Sequence, residues 1–180
     1  MFRISLLAIA TLIIPFSDYN SIQVNATTSY LISQNTNQQS RSITTKSLGV
    51  GGIKLSMSEA QVRKILGRPV KVENTFMPAI GNVRTLKYTG ITVDLAEDVK
   101  PGKFTVYQIK VTSSKYATVD GIKVGDNQSK VVRIYGNPAT IQNGRLTNLS
   151  YGMDEPSPAG LNFSLRNNKV TEILCFYLMN

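Results

Sequence analysis

GIKLSMSEAQVRKILGRP (Gly52–Pro69) returns as GIKVGDNQSKVVRIYGNP (Gly121–Pro138), sixty-nine positions later and without a gap. Gly, Ile, Lys, Val, Ile, Gly and Pro coincide at seven of the eighteen positions. Repetition at a fixed spacing constrains architecture before any other signal does. In the first copy Ser58 is placed to cap a helix, and Gln61 three residues on completes a capping box. Val62, Ile65 and Leu66 then share one helical face, Gly67 supplies a left-handed stop, and Pro69 blocks continuation. The second copy repeats the pattern, with Asn127 as cap, Val131, Ile134 and Tyr135 as stripe, and Gly136 and Pro138 as stop. Helices this short are marginal alone, so each is expected to lie on a sheet.

Strand patterns follow each helix. Leu86 and Tyr88, then Ile91, Val93 and Leu95, then Tyr107, Ile109 and Val111 alternate with polar neighbours, the period of half-buried strands. Their counterparts are Leu149 with Tyr151, Leu161 with Phe163 and Leu165, and a last strand from Val170 to Leu178. Asn167-Asn168 suits the tight turn before that strand. The expected fold is α+β: two tandem units of a helix plus three antiparallel strands, forming one joined sheet or two adjacent ones. The units span 48–119 and 120–180.

What precedes them reads differently. Arg3, an apolar run from Ile4 to Ile14, Pro15 and the small-residue site at Val24-Asn25-Ala26 form a secretory pattern over residues 1–26. The run is short for a bilayer span; a retained membrane anchor is the alternative. Residues 27–47 are rich in Asn, Thr, Gln and Ser, too polar to offset their ordering entropy, and are expected to form a flexible arm.

The chain carries 20 Lys and Arg against 11 Asp and Glu, a net charge of +9. Losing residues 1–26 removes one of each sign, Arg3 and Asp18, and leaves that excess unchanged. The excess favours acidic proteins, anionic wall polymers or lipid headgroups. No nucleic-acid motif accompanies it. There is no histidine and one cysteine, Cys175, so the usual zinc sites and histidine-assisted nucleophiles are excluded. An intramolecular disulfide is excluded too. Asp94, Glu97 and Asp98, and Asp154-Glu155, match no metal loop, and no serine stands in a catalytic motif. No cofactor, metal or small-molecule substrate is expected, and no enzymatic activity.

A capped short helix ending in Leu/Tyr-Gly-x-Pro and followed by three strands resembles the small outer-membrane-assembly lipoproteins of the SmpA/OmlA (BamE-like) group. The duplicated form is similar to the secreted beta-lactamase inhibitor protein family. The matching residues are Gly52–Pro69 and Gly121–Pro138. The resemblance implies two units side by side whose joined sheets offer a face to a protein partner. Two departures stand out: the inhibitor family has a disulfide in each unit, and the assembly lipoproteins have a lipid-accepting cysteine. This chain has neither.

The last strand gives the candidate contact. If Thr171, Ile173 and Cys175 face inward like Tyr107, Ile109 and Val111, then Leu174, Phe176 and Leu178 fall on the outer face, where the first copy is polar. Apolar side chains on a wetted face mark a contact, either with the other unit or the N-terminal arm, or with an external partner. Tyr88 and Tyr151, equivalent in the two copies, are further partner-binding candidates. Cys175 is expected to be a buried, inert thiol. The expectation is a non-catalytic, secreted or periplasmic protein-binding module of the cell envelope, inhibitor-like or a scaffold. Its partner would be another envelope or secreted protein; a basic binder of anionic wall polymer or membrane surface is the alternative.

Overall fold

The computed structural model describes residues 43–44, 48–143, 145–153 and 159–177. The leader 1–26, most of the arm 27–47, Asp154-Glu155 and Leu178 lie outside them. Strands β1 (Gly49–Val50) and β2 (Ile53–Lys54) form a small hairpin. Helix α1 (Glu59–Leu66) is followed by β3 (Lys71–Met77), β4 (Gly81–Tyr88), β5 (Ile91–Glu97) and β6 (Phe104–Val111). Helix α2 (Gln128–Tyr135) is followed by β7 (Ala139–Asn143), β8 (Leu146–Met153), β9 (Ala159–Arg166) and β10 (Lys169–Tyr177). The last eight strands make one antiparallel sheet in the order β3-β4-β5-β6-β10-β9-β8-β7.

This overturns the expected α+β class of helix-plus-three-strand units. The described chain is mostly β, ten strands with two short helices, and four strands follow each helix. The strands missed are β3 and β7, the two edges of the large sheet. In β3 (KVENTFM) every residue but Glu73 is exposed. A strand wetted on both faces has no period-two signature to read.

Positions sixty-nine apart keep the same backbone. Gly52 and Gly121 have φ of 82° and 83°, and Gly67 and Gly136 both have φ of 80°. The cap amides of Gly67 and Gly136 donate to Arg63 and Val132 carbonyls. Ahead of the helices, Ser56 N–H donates to Val106 O and Gly125 N–H to Val170 O, each 2.8 Å. These bonds tie each helix entry to the last strand of its own unit. Ser58 closes the capping box with Gln61, whereas the Asn127 side chain makes no cap bond.

The core fills one side of the sheet. Ile53, Val62, Ile122 and Val131 from the helix segments pack with Leu86, Val93, Ile109, Leu149, Phe163 and Ile173, all fully buried. Burying each aliphatic side chain contributes roughly 1.5–3 kcal/mol. Ile43, inside the stretch expected as an arm, is also buried here. Tyr135, Tyr151 and Phe163 cluster with ring centroids 5.3–6.0 Å apart. Among the described residues no helix is long and apolar enough to cross a membrane.

Two bulges correct the expected facing of side chains. Asp94 pairs with Gln108 but Leu95 with Val106, so Tyr107 is the extra residue and turns to the outer face, packing with Val83 and Ala96. Likewise Val170 pairs with Leu165 and Glu172 with Ser164. Thr171 is therefore exposed rather than inward, and its hydroxyl donates to Ser164 O at 3.0 Å.

Gly67 has φ 80° and ψ −150°, and a Cβ there would meet nothing within 4 Å. The cost of a side chain is thus torsional alone. Gly67→Ala is expected to lower unfolding free energy by about 1–3 kcal/mol, measured by chemical denaturation. A change below about 0.5 kcal/mol would show that the helix stop does not need glycine.

Candidate partner-binding face

The outer side of the large sheet, opposite the helices, holds the strongest candidate. Strand register places one row across six strands: Thr85, Asp94, Gln108, Phe176, Gly160 and Gly152. The first half is a closed polar network. Thr85 hydroxyl donates to Asp94 Oδ1 at 2.6 Å, and Gln108 Nε2 donates to Asp94 Oδ2 at 2.9 Å. The second half is apolar and has no side chain at Gly160 or Gly152. A Cβ at Gly160 would stand 2.8 Å from Phe176 Cζ, so the ring lies over a position that only glycine leaves free. One strand further, a Cβ at Gly152 would meet nothing within 4 Å among the described residues. Leu174, one pleat along from Phe176, sits between Lys110 and Asn162. Both apolar residues are half-buried.

This face carries charges of both signs. Lys71 and Lys87 both pair with Glu73, at 2.8 and 2.7 Å, and Lys110 stands in register between Thr92 and Leu174. Hydrogen bonds from Lys71 and Lys87 hold the Glu73 carboxyl down at about 2. Further exposed bases, Lys54, Lys64, Arg68, Lys123 and Arg133, lie on or beside the helices.

Of the residues singled out in the sequence, the structure brings Leu174 and Phe176 together on the outer face. It does not bring Tyr88 and Tyr151 there. Their phenols donate to Gly67 O at 3.3 Å and Gly136 O at 3.1 Å, the same bond in both halves, tying the helix stop to the sheet. Leu178 lies outside the described residues. Gly160 and Gly152 were not singled out, because their meaning depends on which strands become neighbours.

A second feature is a hollow of about 520 Å³ between the start of α1 and the β5–β6 hairpin. It includes Glu59 and Arg63. Glu59 is paired with Arg63 at 2.8 Å and Arg84 at 2.7 Å, and Arg84 stacks 4.1 Å from the Phe104 ring centroid. Burial pushes the Glu59 carboxyl up, but Arg84 and Arg63 outweigh it and hold it below its ordinary value. A carboxylate committed to two guanidiniums is a poor general base. Among the described residues no group of three or more His, Cys, Asp or Glu could hold a metal.

No family model matches this chain, and no curated protein does. Among solved structures, it is similar to an extracellular protein containing a SCP domain from Bacillus anthracis str. Ames. That match has a TM-score of 0.45 and 11% identity, over 68% of this chain and 43% of that one. The chain thus spans less than half of that structure's length, and so distant a likeness carries no functional argument.

Burial drives three groups upward: the Cys175 thiol to about 12, the Tyr151 phenol to about 12, and the Tyr135 phenol further still. Unfolded, a thiol ionises from about 8.5 and a phenol from about 10. Raised folded-state values mean that stability is complete below about pH 8.5 and is lost progressively towards pH 12. The denaturation midpoint is therefore expected to fall between pH 8 and pH 11, while the native Cys175 thiol resists alkylation at pH 8. A flat midpoint with rapid native alkylation would contradict this burial.

Proposed function

We propose that this chain is a non-catalytic, secreted or periplasmic protein-binding module of the cell envelope, docking its partner on the open sheet face. One observation carries the reading: Phe176 lies across Gly160 beside the position at Gly152 that no described residue fills. It does so at the centre of a face that no described helix covers. An aromatic anchor next to a notch, with a polar surround, is the arrangement on which binding energy concentrates in protein interfaces. The anchor supplies apolar area, and the notch admits a partner side chain. The saturated Thr85–Asp94–Gln108 network offers a polar rim without an unpaired buried charge. The secretory pattern of residues 1–26 supports export, with cleavage after Ala26. Inhibition of a secreted enzyme and scaffolding of an envelope assembly both suit such a face; the envelope role is the broader and preferred one.

The exposed bases around the helices favour a second reading, attachment to an anionic polymer or membrane surface through the opposite side. Such attachment weakens steeply with ionic strength, whereas an apolar protein contact persists.

The test uses partners crosslinked and captured from the native envelope. Gly152→Leu fills the notch without a clash at Cβ, and Phe176→Asp removes the anchor. Both variants are expected to keep native circular dichroism and to lose the captured partner by about tenfold or more, the cost of one hot-spot residue. Capture that survives both substitutions, or that disappears with salt alone, would refute docking on this face.

A further inference from the structure

We propose that the chain pairs with a second copy of itself through the free edge of β3, in antiparallel register about Asn74. Strand β3 runs seven residues, Lys71–Met77, and only β4 pairs with it among the described residues. Natural edges are normally blunted by proline, bulges, short length or outward charge. This one has no proline or glycine, and its register with β4 is unbroken from Lys71 to Met77. Its two charges are tied back: Glu73 binds Lys71 on its own strand and Lys87 on β4. The apolar residues are left out, with Phe76 68%, Met77 41% and Val72 40% exposed.

The sequence of β3 fits its own reverse. A two-fold axis through Asn74, normal to the sheet, sets Val72 opposite Phe76 of the second copy on the helix side. On the outer side it sets Lys71 opposite Met77 and Glu73 opposite Thr75. Apolar meets apolar, and no like charges stand directly opposite, the condition under which cross-strand pairs stabilise. Shifting the axis by one residue, to Glu73, would put the two Glu73 side chains face to face. The contact is isologous and closes on itself, so it yields a dimer and no filament. Edge pairing of this length falls at or below the roughly 1,200 Å² of a stable interface. The dimer is accordingly weak and concentration-dependent.

Sedimentation velocity of the full chain tests this. Over about 1–200 µM, a range set by a small interface, the main species should move from monomer to dimer. Val72→Lys with Phe76→Lys, both at exposed positions, should leave the fold intact and stay monomeric throughout. Asn74→Cys supplies a position-specific readout, since paired residues at the axis fall within disulfide reach. It should form a covalent dimer about tenfold or more faster than Val99→Cys, because pairing raises the local thiol concentration; Val99 is 96% exposed and far from β3 in sequence. A chain monomeric at every concentration overturns the proposal, including one whose edge takes an extended segment of another protein. So does a dimer that survives the double lysine change, or Asn74→Cys crosslinking no faster than the control.

Discussion

The pairing of β6 with β10 is the contact on which the rest depends. Only four register pairs join the halves, from Ile173 with Val111 to Phe176 with Gln108. They nevertheless turn two four-stranded segments into one sheet. On the helix side they bring Ile109, Val111, Ile173 and Cys175 into one core. On the outer side they set Leu174 and Phe176 beside Lys110 and Gln108. Without this junction each half would present a bare strand edge in place of a shared centre. The apolar pair on the outer face and the burial of Cys175 are two consequences of one strand pairing.

Each half reaches that junction by the same local device. A residue with positive φ, Ser56 or Gly125, opens a backbone bond to the unit's last strand. A two-turn helix follows, stopped by glycine at φ 80°, and a tyrosine phenol clamps the stop's carbonyl. Ser56 holds a conformation that costs an L side chain about 1–2 kcal/mol; its hydroxyl lies 3.2 Å from the Tyr177 hydroxyl, a contact glycine could not make. The helices contribute little by propensity at this length. They are held by Val62 and Val131, both fully buried.

The helix segments were legible because capping, stripe and stop are written within eighteen consecutive residues. The inner strands were legible because Ile91, Val93 and Leu95 face a core and their neighbours do not. The edge strand β3 was not, since residues exposed on both sides carry no alternation, and without β3 and β7 each unit reads as three strands rather than four. Tyr107 was misassigned because a bulge leaves no mark in a period-two pattern, and Thr171 for the same reason. Comparison of equivalent strands places Leu174 and Phe176 on the outer face, where the register also puts them. Tyr88 and Tyr151 were correctly paired as equivalents, but their phenols serve the helix stops on the core side. The Gly160–Gly152 pair needed strand order, which a sequence does not state.

Residue-resolved hydrogen exchange under native conditions tests the junction most directly. If β6 and β10 hold both halves in one cooperative unit, amides in Val106–Val111 and Ile173–Cys175 should open only with global unfolding, at one shared free energy. Exchange of Leu161–Leu165 and Ile173–Cys175 at a free energy several kcal/mol below that of Ile91–Leu95 would mean that the second half unfolds alone. That result would contradict the single sheet on which the outer face depends.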